Sequence, residues 1–424
     1  MHILFLTDNF PPEVNAPASR TFEHCQEWVR AGHQVTVITG APNFPQGKVY
    51  PGYRNRLWQC ETMAGIRVIR VWTYITANEG FVKRILDYLS FMFMAIFAGP
   101  FVRKPDIVVG TSPQFFTACA GWTVGKMKRI PFVFELRDLW PESIKAVGAM
   151  EDSAAIRLFE KVEMFLYRQA ARIVSVTKSF KKTLIRRGID GDKIEVITNG
   201  VDTSRFQPMQ KDNDLVARYG LEGKFVAGYI GTHGLAHALE TILETADNFR
   251  KAGEDRFRFI LLGHGARKQA LVEKAQEMGL KNIIFIDSVL KDEVPRYWSL
   301  LDVSIIHLKK TELFTTVIPS KMFECMGMGI PILHGVAGES AEIVEKEGAG
   351  LVFEPENAVE LQEKLLLLRD DADLYDRLKK NGLMAAKNYD RSVLAEQMLE
   401  ILIDAAEGGA SVKTSSEQKR EGKA

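Results

Sequence analysis

Lys321 and Glu324 stand three residues apart in Pro319-Ser320-Lys321-Met322-Phe323-Glu324. On a helix that spacing puts both side chains on one face. The Pro-Ser pair suits a helix start, with Ser320 a favoured N-cap. A helix N-terminus gathers unpaired N–H groups, so with a lysine beside it the site suits a diphosphate. A carboxylate one turn further in suits a pair of sugar hydroxyls, such as those of a ribose. Met322, Phe323, Met326 and Met328 can face a core. Gly327 and Gly329 end the helix, and Pro331-Ile332-Leu333 reads as the next strand. The same residues also fit an ordinary helix with a solvent-facing ion pair, and local chemistry does not choose between the two.

Other candidate groups follow apolar runs. Gly231-Thr232-His233-Gly234 and Gly263-His264-Gly265 are turns at the ends of expected strands. In open α/β sheets ligands bind at that edge. His233, His237 and His264 either contact a ligand, cap a helix or are inert. Charges follow a buried strand directly in Glu135-Leu136-Arg137-Asp138-Leu139-Trp140-Pro141-Glu142-Ser143, where Arg137 and Asp138 are site groups or an internal ion pair. The first loop, Asp8 to Pro17, has no G-x-G-x-x-G, so it indicates no dinucleotide site. Its prolines make it stiff, and Pro11, Pro12, Glu13 and Asn15 could shape an acceptor pocket. The four cysteines are scattered without a C-x-x-C pair, which argues against a zinc site and fits a reducing cytosol. Asp371-Ala372-Asp373 reads as a helix cap, so no metal is expected.

The elements that position these groups alternate between strand and helix. At 424 residues the chain is long for one core. The pattern predicts an α/β protein of two doubly wound Rossmann-like domains facing across a cleft. Residues 1–198 would form one domain and 199–390 the other. A helix over 391–407 would pack back on the first domain, and 408–424 would be a disordered tail. Residues 41–65 read as irregular, and 198–223 as the linker. The net charge of +1 indicates no nucleic-acid partner. The chain opens directly in a strand, which predicts no secretory leader. The run from Phe81 to Lys104 is the most apolar, with Lys83-Arg84 and Arg103-Lys104 at its ends. It is short for a membrane span, which needs about twenty apolar residues. It is either a core helix or an aromatic face resting on a membrane surface.

Asn199-Gly200-Val201-Asp202 with Phe206 and Pro208, the Gly263-His264-Gly265 turn, and Lys321-x-x-Glu324-x-Met326-Gly327-x-Gly329-x-Pro331 together resemble the retaining GT-B glycosyltransferases of glycosyltransferase family four. The Pro-Pro-Glu loop and the Arg137-to-Glu142 run resemble a bacterial subgroup of O-antigen and capsule assembly that includes L-fucosamine transferases. The resemblance implies a UDP-sugar donor on the second domain, no required cofactor, and a lipid-diphosphate-linked glycan as acceptor. It implies a cytoplasmic enzyme at the inner face of the membrane. By motif position, Glu324 would hold the donor ribose. Amides of Ser320 and Lys321 would cradle the diphosphate. Arg267 and Lys268 would lie near the phosphates, Ile286, Asp287 and Ser288 would edge the base, and Gly231, Thr232, His233 and Ile318 would complete the donor site. Arg137 falls where many members carry a histidine near the reacting sugar. Two positions depart from the family: Thr316 replaces the first acid of its E-x7-E motif, and the first donor-domain loop lacks the usual Arg and Lys, leaving Lys321 to supply the charge. The expected reaction is sugar transfer, with catalysis by Lys321, Arg267, Arg137 and Asp138. A UDP-sugar epimerase of the same fold and a non-catalytic nucleotide-sugar-binding subunit are the competing readings.

Overall fold

Runs such as Val35-Thr36-Val37-Ile38 and Ile107-Val108-Val109 are buried along their length. That is the pattern of strands covered by helices on both faces of a parallel sheet. A computed structural model describes residues 1–44, 46–76, 81–112, 114–139 and 154–408. The sequence-predicted site stretch from Trp140 to Ser143, and the tail beyond 408, lie outside the described residues.

Two compact units form, one of residues 1–198 with the chain from Arg391 onward, the other of residues 199–390. In the first unit the strands are β1 (His2–Leu6), β2 (Gln34–Thr39), β3 (Trp58–Met63), β4 (Ile66–Val71), β5 (Ile107–Thr111), β6 (Phe132–Leu136), β7 (Arg172–Ser175) and β8 (Ile194–Val196). Their order is β3-β4-β2-β1-β5-β6-β7-β8, parallel except for β3. Helices α1 (Ala16–Arg30), α2 (Phe81–Ala98), α3 (Phe115–Lys128), α4 (Ala154–Gln169) and α5 (Lys178–Arg186) alternate with them.

The second unit holds α6 (Asn213–Tyr219), β9 (Phe225–Ile230), α7 (Glu240–Lys251), β10 (Phe257–Leu262), α8 (Lys268–Glu277), β11 (Ile283–Ile286), α9 (Val294–Trp298) and β12 (Val303–His307). It continues with α10 (Lys321–Met328), β13 (Ile332–Gly335), α11 (Glu339–Glu347), β14 (Gly350–Val352), α12 (Ala358–Asp370) and α13 (Ala372–Ala386). Its sheet is parallel in the order β11-β10-β9-β12-β13-β14. The strand order reverses between β9 and β12, so the loops after those strands flank the usual ligand crevice.

Helix α14 (Arg391–Ala406) completes the first unit. Leu394, Met398 and Leu402 share a core cluster with Ile3, Trp28 and Val174. Trp28 Nε1 donates to the Ala395 carbonyl at 2.8 Å, and Arg172 pairs with Asp404 at 2.6 Å.

Three sequence expectations change. The stretch read as irregular over 41–65 contains β3, a hairpin partner of β4 joined through Ala64-Gly65, both at positive φ. It is an edge strand, half-exposed and polar at Gln59, Glu61 and Thr62, so no apolar run marks it. The expected linker contains α6, which Asp212 caps by accepting from Leu215 N at 3.1 Å. Ser320 occupies the N-cap position of α10, but its hydroxyl makes no capping bond.

Helix α2 has one face in the core and one face exposed. Phe91, Ala95 and Ala98 are fully buried in the core of the first unit, whereas Phe93 and Phe97 are 62% and 61% exposed.

Candidate active site

In the second unit, α10 starts at the crevice edge because Ile318, Met322, Phe323 and Met326 anchor it in the core. The Lys321 side chain runs back to the loop after β9. Its ammonium sits 3.7 Å from the centroid of the Tyr229 ring, a cation–π contact. Burial lowers its pKa to about 8, and the charge of Glu324 opposes that shift. It remains largely cationic at neutral pH. Trp298 Nε1 donates to Glu324 Oε2 at 3.2 Å, so a buried indole orients the carboxylate.

Glycines make room for this arrangement. A Cβ on Gly231, at φ +150°, would lie 2.5 Å from Lys321 Nζ. A Cβ on Gly263, at φ +147°, would lie 1.8 Å from the Gly231 carbonyl oxygen. The loops after β9 and β10 therefore nest backbone against backbone. The His233 amide donates to the His264 carbonyl at 3.0 Å, and the Arg267 amide donates to the His233 carbonyl at 2.9 Å.

The other donor-site candidates divide. His233 is fully buried, and both its ring nitrogens lack a hydrogen-bond partner among the described residues. Burial, then Lys268 and Lys321, push its pKa down to about 4. The neutral ring lies inside, and the His233 backbone ties the two loops. Lys268 donates to the carbonyls of Gly263 (2.9 Å) and Ile286 (3.0 Å) and pairs with Asp287, so it braces the β10 and β11 loops. Thr232 accepts at its carbonyl from Tyr229 OH at 2.9 Å. Asp287 and Ser288 are exposed at the end of β11, while Ile286 and Ile318 are buried. Arg267 pairs with Glu240 and lines a cavity of about 480 Å³ with Lys309, Glu244 and Glu356. Lys309 was missed from sequence, although Lys309-Lys310, separated from the end of β12 by Leu308, was the available signal. Thr316 donates to the Leu313 carbonyl at 3.0 Å within its own turn.

In the first unit the proline loop is fixed by its own polar groups. Glu13 accepts from the amides of Asn43 and Phe44, each at 2.8 Å, and of Phe10 at 3.3 Å. Asn15 caps α1 through Ala18 N at 2.9 Å and donates to Asn9 at 2.8 Å. The carbonyl of Pro11, in a cis Pro11-Pro12 bond, accepts from buried Arg70. Glu13 and Asn15 line a cavity of about 250 Å³ with Asp8, Phe44, Asp87 and Tyr88, whereas Pro11 and Pro12 are not part of its lining. Asp8 and Asp87 were missed from sequence; Asp87 is the one acid in the apolar α2. Arg137 and Asp138 both donate their amides to Ser112 Oγ, at 2.7 and 3.2 Å. Burial lowers the Arg137 pKa to about 10, with Glu135 opposing.

Burial raises Asp87 to about 7, and the charge of Glu13 adds to that shift while Arg84 opposes it. Asp8 is also raised well above the carboxylate range, by burial and then by Asp87. Folding thus raises these pKa values, so the protonated carboxyls favour the folded state. That stability is complete below the unfolded value of 3.8 and is lost as pH rises through about 7. We expect the melting temperature to fall from about pH 5 to about pH 7, and Asp87→Asn to flatten the decline. Equal slopes in parent and variant would refute the assignment.

Among the described residues no three His, Cys, Asp or Glu side chains are grouped to hold a metal ion.

Residues 15–200 match the model of a glycosyl transferase 4-like domain, and residues 224–371 that of glycosyl transferases group 1. WcaI of Escherichia coli (strain K12), assigned as a colanic acid biosynthesis glycosyl transferase, is 25% identical over 339 residues, 78% of this chain and 82% of its own. Sucrose-phosphate synthase from Thermosynechococcus elongatus shares the fold at a TM-score of 0.75 and 16% identity, covering 94% of this chain and 98% of its own. Anabaena Alr3699/HepE in complex with UDP has a TM-score of 0.71 at 16% identity, with 95% of this chain and 100% of its own covered.

Proposed function

We propose, from the premise that this chain belongs to the GT-B glycosyltransferases, that it moves a sugar from a UDP-sugar to a growing, lipid-linked glycan. The sugar class is an N-acetylated amino- or deoxyaminosugar, the setting is O-antigen, capsule or exopolysaccharide synthesis, and the anomeric configuration is retained. The colanic acid assignment of the E. coli relative supports the setting. One observation carries the donor site: the Lys321 ammonium lies against the Tyr229 ring at a glycine-lined gap, at the edge where the strand order reverses. A cation held there without a carboxylate ion pair among the described residues suits the diphosphate of a nucleotide sugar.

In the reaction the acceptor hydroxyl bonds to the anomeric carbon, and its proton passes to the departing diphosphate or to solvent. The bond from that carbon to the diphosphate oxygen breaks, and the oxygen keeps the electron pair. Lys321 and the first-turn amides of α10 neutralise the charge that develops there. Glu324, oriented by Trp298, takes the ribose hydroxyls. The cavity beside Asp8 and Asp87 takes the acceptor, where carboxyl and aromatic groups suit sugar hydroxyls and ring faces. No metal is placed in this scheme; activity abolished by a chelator and restored by magnesium would refute that part.

Thermal stabilisation by UDP, GDP and ADP tests the reading. A nucleotide at about a hundred times its dissociation constant adds about 2.7 kcal/mol. We expect stabilisation by UDP above GDP and ADP, and its loss in Glu324→Ala. Equal response to all three would remove the uridine assignment, and no response to any would remove the donor site.

A further inference from the structure

Among the described residues nothing covers one face of helix α2. Leu86, Phe93 and Phe97 are 49%, 62% and 61% exposed, and Phe101 in the following turn is 59% exposed. Their spacing of seven and four residues keeps them on one side of a helix. The row is continuous at its end: the Phe97 and Phe101 rings are 5.5 Å apart, and Phe101 meets Trp58 at 5.8 Å. The opposite side, Phe91, Ala95 and Ala98, is fixed in the core. Lys83–Phe101 has a mean hydropathy of 1.3, yet only 22% of its most apolar window is buried. A core helix of that composition would be mostly covered. Single exposed apolar residues are common, whereas a contiguous row of aromatics marks a contact surface.

Charge indicates what covers it. Lys83 stands at the start of α2, where Arg84 turns to the cavity it lines with Asp87, and Arg103 and Lys104 stand just past its end. The basic end of α3 adjoins that end, with Lys128 Nζ donating to the carbonyls of Pro100 (3.1 Å) and Val102 (2.7 Å). The one acid of α2, Asp87, lies in the cavity with Asp8 and outside the aromatic row. Both ends of the face are therefore cationic. A second copy of this chain would bring like charges together in either direction. An anionic lipid surface matches both the aromatic row and its ends.

We propose that α2 lies on an anionic phospholipid bilayer, with Leu86, Phe93, Phe97 and Phe101 entering the headgroup–acyl boundary. Asp87 and Tyr88 follow Leu86 in the chain and line the acceptor cavity. One helix is thus both the docking face and a wall of that cavity. Docking sets the cavity at headgroup level, where the sugar end of a lipid-linked acceptor would be presented. This last step rests on the acceptor reading above; the docking itself does not.

Flotation of the full chain with phosphatidylcholine vesicles, with and without about 30% phosphatidylglycerol, tests the proposal. No donor or acceptor is present, so docking can fail while the transferase reading stands. The parent should float with the anionic vesicles and much less with neutral ones. Phe93→Asp/Phe97→Asp should bind at least about tenfold more weakly, since two aromatic side chains no longer enter the bilayer. Its melting temperature and nucleotide stabilisation should match the parent, because both side chains are exposed. Arg103→Glu/Lys104→Glu, which leaves the aromatic row intact, should lose the preference for anionic lipid. Failure of the parent to float would overturn the proposal, as would unchanged flotation of the Phe variant. A parent dimer that the Phe variant dissociates, without vesicle binding, would assign the face to a second copy and overturn it as well.

Discussion

A Lys321→Ala protein should transfer sugar about 10²–10³-fold more slowly than the parent, with its melting temperature nearly unchanged. The rate effect follows from where charge develops. As the sugar leaves, negative charge grows on the diphosphate oxygen, and a fixed cation in a partly dry site stabilises that charge far more than water would. Lys321 is fixed by the face of Tyr229 and by the gap at Gly231. The small stability effect follows from its contacts, since among the described residues its ammonium completes no ion pair whose loss would leave a buried charge. With its pKa lowered to about 8 by burial, kcat/KM should also fall as pH rises past that value in the free enzyme. Lys321→Arg should not restore the rate, because the wider guanidinium meets the same tight gap. Single-turnover transfer with saturating donor measures the chemical step. Transfer by Lys321→Ala at the parental rate would end the assignment.

The second large effect is expected from Gly263→Ala. The new methyl would lie 1.8 Å from the Gly231 carbonyl oxygen, at a φ of +147° that side chains rarely adopt. Backbone meets backbone there, so no rotamer change relieves the clash and the two loops must part. A cost above about 3 kcal/mol is expected, from strain and overlap together. Nucleotide stabilisation should vanish with it, because the same loop backs Lys321. Gly253→Ala is the control. Gly253 also has positive φ, but nothing lies within 4 Å of the added carbon. It should cost only about 1 kcal/mol and keep nucleotide binding. Parallel melting curves with and without UDP distinguish the two. Similar behaviour of both variants would show that the nested loops are not what shapes the site.

Sequence carried the periodic elements well and the pairings poorly. The helix at 391–406 is legible because its apolar residues repeat and its neighbours are turn formers. Edge strand β3 is not, because half of it faces water and its signal depends on its partner β4. Lys321 and Glu324 are legible as one helical face. Their partners, Tyr229 and Trp298, stand 92 and 26 positions away (321 − 229 and 324 − 298), so spacing could not name them. Glu13 and Asn15 looked like pocket groups, and both do border a cavity. Their hydrogen bonds to loop amides and to the α1 cap became visible only with the fold. The burial of the His233 ring, whose nitrogens lack hydrogen-bond partners among the described residues, was equally hidden: a turn sequence does not reveal whether its side chain points outward.

The return of α14 to the first unit has a consequence for how the chain is made. Residues 1–198 leave the ribosome first, but the groove over Trp28 waits for Leu394, Met398 and Leu402. From Thr198 to the end of α14 at Ala406 the ribosome must add 406 − 198 = 208 residues, including the whole second unit. At the usual ~5–20 residues per second that is a wait of roughly 10–40 s. The unit begun second can therefore close first, while the one begun first holds an apolar seam open to solvent. Newly made chains are most exposed to aggregation and to chaperones at that seam, and release of the last helix from the ribosome seals it.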